Sequence, residues 1–133
     1  LSVLAFSARS EEAAHGDFTQ CLPGLKTLEP FIEVLADEMI NDNVNLYMED
    51  LKILFHHFRN VAKDCGVNLP MSRSTGNAVY CNQDVSTLGS LLRKLKAESN
   101  KPITEQSLIT VITVYMSLAH NLPKTIQDCG LRR

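Results

Sequence analysis

The segment from Ile103 to Leu122 constrains the fold of this chain more than any other, because apolar residues fall on almost every side of a helix drawn through it. Those residues are Leu108, Ile109, Val111, Ile112, Val114, Tyr115, Met116, Leu118 and Ala119. A helix of this kind is enclosed by other helices or lies in a membrane. The apolar run is broken by Thr110, Thr113, Ser117 and His120, and its continuous apolar content falls short of the ~20 residues that a membrane span requires. The pattern therefore predicts the central helix of an all-α domain.

This central helix is placed at residues 104–122, with Thr104 as its N-cap and its end before Pro123. The remaining predicted helices cover residues 2–14, 28–40, 46–65 and 84–99. Thr27 is the predicted N-cap of helix 28–40 and Asp84 that of helix 84–99, while Gly66 ends helix 46–65. Short helical pieces are predicted after Asp17, up to a turn at Leu22-Pro23-Gly24, and from Thr125 to Cys129, ending at Gly130.

Residues 67–83 are predicted to form a loop, and loops longer than ~12–15 residues are uncommon in compact domains. A chain of 133 residues has the size of one domain. The sequence therefore predicts a single all-α domain over residues 1–133, a bundle of five or six helices, as a fragment of a longer protein.

A weak internal similarity relates two of the helices. Asp64-Cys65-Gly66 and Asp128-Cys129-Gly130 end similar apolar patterns, although seven residues must be inserted to align the patterns from Leu51 and Leu108. An armadillo- or HEAT-like scaffold fragment is one interpretation, but such repeats usually keep a fixed period over three or more copies.

The chain has four cysteines, Cys21, Cys65, Cys81 and Cys129, which allow two disulfides in three connectivities. They form no CxxC pair, and a buried free thiol behaves as a small apolar side chain. The favoured prediction is reduced cysteines and an intracellular, cytoplasmic protein. Two disulfides would instead indicate a secretory compartment.

No local motif for catalysis or metal binding occurs. His56 and His57 are adjacent, and neither has a second histidine four residues away as in the HExxH zinc motif. A GxSxG elbow, a glycine-rich phosphate loop and the HxE…CxxC deaminase pattern are also missing. We therefore predict a protein that is not an enzyme, with no catalytic or metal residues and no cofactor, although a cysteine and a histidine could still meet in space.

The charges are unevenly distributed along the chain. Residues 1–92 contain 12 acidic and 6 basic residues, whereas residues 93–133 contain 3 acidic and 7 basic residues. Such a basic region can bind phosphate or an acidic peptide. The predicted partner-binding residues are Arg93, Lys94, Lys96, Lys101, Lys124, Arg132 and Arg133.

The central helix also resembles a viral protein family. Gln106-Ser107-Leu108-Ile109, Ile112-Thr113, Ala119 and Leu122-Pro123 are similar to the late helix of the C-terminal domain of the filovirus minor nucleoprotein, a viral transcription activator. The resemblance implies an all-helical domain that self-associates and binds a nucleoprotein peptide and RNA. It assigns no binding residue in this chain.

The favoured functional prediction is a non-enzymatic helical domain that binds a partner protein or peptide and can self-associate as a homodimer, with no membrane involvement. Two alternatives remain open besides the scaffold fragment. One is a viral RNA-binding domain associated with a nucleoprotein. The other is a helical carrier of a small apolar ligand held between helices.

Overall fold

The computed structural model describes residues 18–38, 43–69 and 77–131, and these ranges are helical without any strand. A 3-10 helix, Phe18–Cys21, precedes α1 (Leu22–Lys26), α2 (Glu29–Asp37), α3 (Val44–Asp64), α4 (Ala78–Ser99) and α5 (Glu105–Asp128). The all-α prediction is confirmed, and within the described ranges the bundle packs four helices, α2 to α5, which is fewer than the predicted five or six. The predicted helix 2–14 lies outside the described residues.

Polar side chains start the three long helices. The predicted N-cap Thr104 is confirmed, since its Oγ1 accepts a hydrogen bond from the Ser107 backbone N–H at 3.0 Å and Ser107 Oγ accepts one from the Thr104 backbone N–H at 2.8 Å. This reciprocal pair is a capping box that satisfies two free N–H groups. Asn43 caps α3 through the backbone N–H of Leu46, at 3.0 Å.

The prediction that Asp84 caps the fourth helix is wrong. Asn77 begins α4, because its Oδ1 accepts hydrogen bonds from the backbone N–H groups of Val79 and Tyr80 at 3.0 and 3.1 Å. Asp84 lies inside the helix and is buried. The predicted loop 67–83 is correspondingly too long, since α4 already starts at Ala78.

Thr27 is not an N-cap either. Its Oγ1 donates a hydrogen bond to the Gly24 carbonyl at 2.6 Å, and Leu28 occupies the cap position of α2 without a side-chain hydrogen bond. The predicted turn at residues 22–24 is the start of α1, where Pro23 is tolerated because the first helical N–H groups need no partner within the helix.

The predicted helix end before Pro123 is also wrong, because α5 continues to Asp128. Proline inside a helix removes one backbone donor and usually breaks the helix. Here Leu122, Pro123 and Ile126 are all buried. Tertiary packing of these last turns outweighs the local cost of the proline.

All four cysteines form disulfides, so the prediction of reduced cysteines is wrong. Cys21 is joined to Cys65 and Cys81 to Cys129, with Cα–Cα distances of 5.4 and 4.7 Å. Cys81 falls within the predicted loop 67–83, but it lies in the first turn of α4.

The two disulfides close two helical hairpins of similar construction. In each hairpin the second cysteine is the C-cap of the last helix, and the next residue, Gly66 or Gly130, has a φ of 75° or 71°. Val67 N–H then donates to the Ala62 carbonyl and Leu131 N–H to the Ile126 carbonyl, both at 2.8 Å. Both ends are Schellman motifs. The similarity between the two Asp-Cys-Gly segments is therefore also a structural one.

The core extends across both hairpins. Helix α4 packs between α2 and α5, and α5 also contacts α3 and the 3-10 helix. Phe18, Phe58 and Tyr115 meet at the centre, with ring centroids 5.7 to 6.4 Å apart. The expectation that α5 is covered on nearly every side fails on its outer face, where Ile109 and Met116 are 46% and 43% exposed.

None of the described helices is both long and apolar enough to cross a lipid bilayer.

Candidate functional site

An apolar groove of about 230 Å³ lies between α1–α2 and the turn that joins α4 to α5. Its floor consists of side chains that also belong to the core, namely Leu25, Ile32, Leu95 and Tyr115. Its walls are the half-buried Leu22, Leu108 and Val111, and one side is open to solvent. This concavity is walled by four helices from both hairpins.

The capping box at Thr104 determines how the open side is built. Ile103 precedes the N-cap and Leu108 occupies the fourth helical position, which is the spacing of a hydrophobic staple. Both line the groove, yet Ile103 remains 75% exposed, more than any other large apolar side chain described. This leaves apolar surface at the rim that a ligand can cover.

The opposite wall includes α1, whose Gly24 faces α3. A Cβ atom at Gly24 would lie 3.4 Å from Val61 Cγ1, which is an ordinary van der Waals distance. Leu22 and Leu25 of α1 line the groove.

The floor of the groove carries one phenol. Tyr115 O–H donates to the Leu25 carbonyl at 3.4 Å. Burial, and next the negative charge of Glu29, raise the pKa of Tyr115 above its usual value. The hydroxyl therefore stays protonated near neutral pH, which suits a structural donor and not a catalytic base.

Charged side chains of both signs surround the groove. Lys26, Glu29 and Glu33 stand on the side of α1 and α2, and Lys96, Glu98 and Lys101 stand on the side of α4 and its following turn. Lys96 forms an ion pair with Asp37, and Lys101 Nζ lies 3.2 Å from Glu98 Oε2. The two lysines of the α4 side are thus already paired.

The structure separates the predicted partner-binding residues. Lys96 and Lys101 line the groove, while Arg93 and Lys94 are exposed on α4. Lys124 lies near the other end of α4, beside Asp84, about 18 Å along that helix from Lys96 at 1.5 Å per residue. Arg132 and Arg133 lie outside the described residues. Binding by this set stays a prediction.

Lys124 belongs to a separate polar cluster. Its ammonium lies 2.8 Å from Asp84 Oδ1 and 3.1 Å from Asp128 Oδ2, and both carboxylate side chains are only 10% exposed. Burial and the neighbouring Asp128 raise the pKa of Asp84, although Lys124 acts in the opposite direction. The cluster fastens the start of α4 to the end of α5 next to the Cys81–Cys129 disulfide.

Of the two adjacent histidines, His57 has a packing role. The His57 ring stacks on Phe31 with centroids 4.4 Å apart, while His56 is exposed. Within residues 18–38, 43–69 and 77–131, no three histidine, cysteine or acidic side chains are grouped to hold a metal ion.

No family model, curated protein or solved structure matches this chain. The resemblances to the filovirus domain and to armadillo-like repeats therefore stay predictions.

The acidic rim residues Glu29 and Glu33 are not predicted from the sequence. Acidic residues on the polar face of an amphipathic helix show the same sequence pattern whether or not that face borders a groove. One signal was present in the sequence. Ile103 is an apolar residue in a polar segment, placed immediately before a predicted N-cap.

Proposed function

We propose that this protein is a non-enzymatic binding domain that takes the apolar part of a small ligand into the groove between α1–α2 and the α4–α5 turn. The observation that carries the proposal is the groove itself, an apolar concavity at a junction of helices from both hairpins. Ligand sites in proteins are typically concave, mostly apolar and bordered by a few polar groups.

The size of the groove limits the ligand. An engineered apolar cavity of 150 Å³ binds benzene, so 230 Å³ suits an apolar body of roughly nine or ten non-hydrogen atoms. This is smaller than a drug-sized pocket and fits a short alkyl chain or a single ring system. The open side lets a polar end of the ligand remain at the rim.

The two disulfides support a site of action outside the reducing cytoplasm. Disulfides persist in secreted, periplasmic or luminal proteins and are rare in cytosolic ones. Because all four cysteines are paired, we favour an oxidising compartment over the cytoplasmic location that the sequence suggested.

The test uses a matched pair of substitutions on α5. Val111 lines the groove, whereas Ile109 points to solvent two positions earlier. We expect 1-octanol to shift the amide NMR signals of Leu108 and its neighbours. Val111→Phe should weaken the binding of 1-octanol by about 10-fold or more, because the larger side chain fills the groove. Ile109→Phe should leave this binding unchanged. Absence of binding, or equal effects of both substitutions, would contradict the proposal.

A protein partner is the second candidate, and the outer face of α5 favours it. Ile109 and Met116 are exposed there, seven positions apart and therefore on one side of the helix, with the half-buried Ile112 between them. An apolar strip of this kind suits self-association or docking of a partner helix. Sedimentation of the wild type and of Met116→Glu tests it, since a dimer through this face should become a monomer in the variant.

A further inference from the structure

We propose that the groove ligand is an amphipathic organic cation, whose alkyl or aryl body covers the apolar floor while its ammonium group lies beside Glu29 and Glu33. This inference rests on the proposed function and adds the chemical class of the ligand. It follows from the way the charges at the rim are paired.

Glu29 and Glu33 are one helical turn apart on α2 and both border the groove. Glu29 is half-buried and Glu33 is exposed, and neither has an ion-pair partner among the described residues. Like charges at this spacing repel each other on a helix. A cation between them would relieve that repulsion, and the partial burial of Glu29 would strengthen the attraction.

The bases at the rim do not balance these carboxylates. Lys96 is paired with Asp37, and Lys101 is paired with Glu98. Among the charged residues that line the groove, Lys26, Glu29 and Glu33 remain without an ion-pair partner in the described part of the chain. The uncommitted charge at this rim is therefore negative.

The negative charge also reaches the interior of the groove. The charge of Glu29 contributes, after burial, to the raised pKa of Tyr115, whose ring forms part of the floor. The negative potential of Glu29 thus extends over the groove, and it favours a cation at the rim beside this carboxylate. Ser107 lines the groove too, but its hydroxyl is already engaged in the capping box with Thr104.

The experiment compares three ligands with the same alkyl body, octylamine, 1-octanol and octanoate, by NMR titration of the full chain at pH 7. Octylamine is protonated at that pH, as a lysine side chain is. We expect octylamine to bind about 3- to 10-fold more tightly than 1-octanol, and octanoate to bind most weakly. Added salt should reduce the advantage of octylamine, because the rim is open to solvent.

Substitutions identify the carboxylates responsible. Glu29→Gln and Glu33→Gln should each lower the octylamine preference and together abolish it, while 1-octanol binding stays the same. Glu49→Gln is the control, because it makes an equal change of charge on α3, where the Glu49 side chain is 65% exposed and lies away from the groove. It should leave the preference for octylamine intact.

The outcomes separate the two proposals. If 1-octanol and octylamine bind equally and Val111→Phe weakens both, the groove is a ligand site but the cation inference is overturned. If octanoate binds most tightly, the rim selects an anion through Lys26, which also overturns it. If none of the three ligands binds the wild type, the proposed function itself fails.

Discussion

Lys124 Nζ lies 2.8 Å from Asp84 Oδ1 although 40 positions separate the two residues in the sequence. The same ammonium also binds Asp128 on its own helix, so two carboxylates share one lysine. Asp84 Oδ2 is buried, and none of the residues that the structure describes forms a hydrogen bond with it. An incompletely satisfied buried carboxylate is costly when ionised.

Asp84→Asn should therefore raise the melting temperature at pH 7. The pKa of Asp84 is raised in the folded state. The contribution of this carboxyl group to the free energy of unfolding is therefore most favourable below its unfolded-state pKa, and it is lost as the pH rises through its folded-state pKa. An amide stays neutral and can still contact Lys124. Melting curves between pH 3 and pH 8 should show the two proteins converging at low pH. A lower melting temperature for the variant at pH 7 would mean that the ion pair with Lys124 dominates.

Each disulfide should contribute substantially to stability. The two bridges close loops with sequence separations of 44 and 48 residues. The entropy that each bridge removes from the unfolded chain corresponds to about 4 kcal/mol of stability, and measured contributions are commonly about 2–4 kcal/mol. Cys81→Ser with Cys129→Ser, and Cys21→Ser with Cys65→Ser, should each lower the free energy of unfolding in urea by such amounts. Non-reducing peptide mapping that recovers any other pairing would contradict the structure.

Gly130→Ala should destabilise the domain by about 1 kcal/mol. The φ of Gly130 is 71°, a left-handed conformation that alanine adopts with strain. Among the described residues, no atom outside its two chain neighbours lies within 4 Å of a Cβ built there, so the expected loss comes from the backbone conformation. Gly130→Asn is the control, because asparagine tolerates this conformation better. Equal losses for both variants in chemical denaturation would argue against backbone strain as the cause.

Thr104→Ala should remove half of the capping box of α5 and cost about 1 kcal/mol. Thr113→Ala on the same helix is the matched control, since Thr113 is exposed and its Oγ1 only donates back to the Ile109 carbonyl. That substitution should be neutral or slightly stabilising, because alanine has the higher helix propensity. Thermal melts that rank the two variants in the opposite order would show that the cap contributes little.

Local chemistry explains which parts of the fold the sequence predicts. The capping role of Thr104 and the ending of a helix at Gly66 depend on residues within one turn, and both predictions are confirmed. Asparagine and aspartate are about equally favoured as N-caps, so residue type alone does not distinguish Asn77 from Asp84. Pro123 predicts a helix end because its cost is local, whereas the burial that offsets this cost depends on the tertiary fold.

The candidate site was harder to predict because it has no local motif. Its floor combines Leu25 of α1, Leu95 of α4 and Tyr115 of α5, which are brought together by the packing of the two hairpins against each other. Likewise, the spacing of four cysteines leaves three pairings open, and the packing of the helices selects one.

The closed hairpins have a mechanical consequence. Tension applied between Cys21 and Cys129 would pass through the first disulfide to Cys65, along the chain to Cys81, and through the second disulfide. The covalent bridges thus shield the helices inside both loops from the pulling force, and only the connection between the hairpins can lengthen. By the same reasoning, one protease cut within either loop leaves the two fragments joined by the disulfide, whereas a cut between Cys65 and Cys81 leaves the two hairpins without a covalent connection.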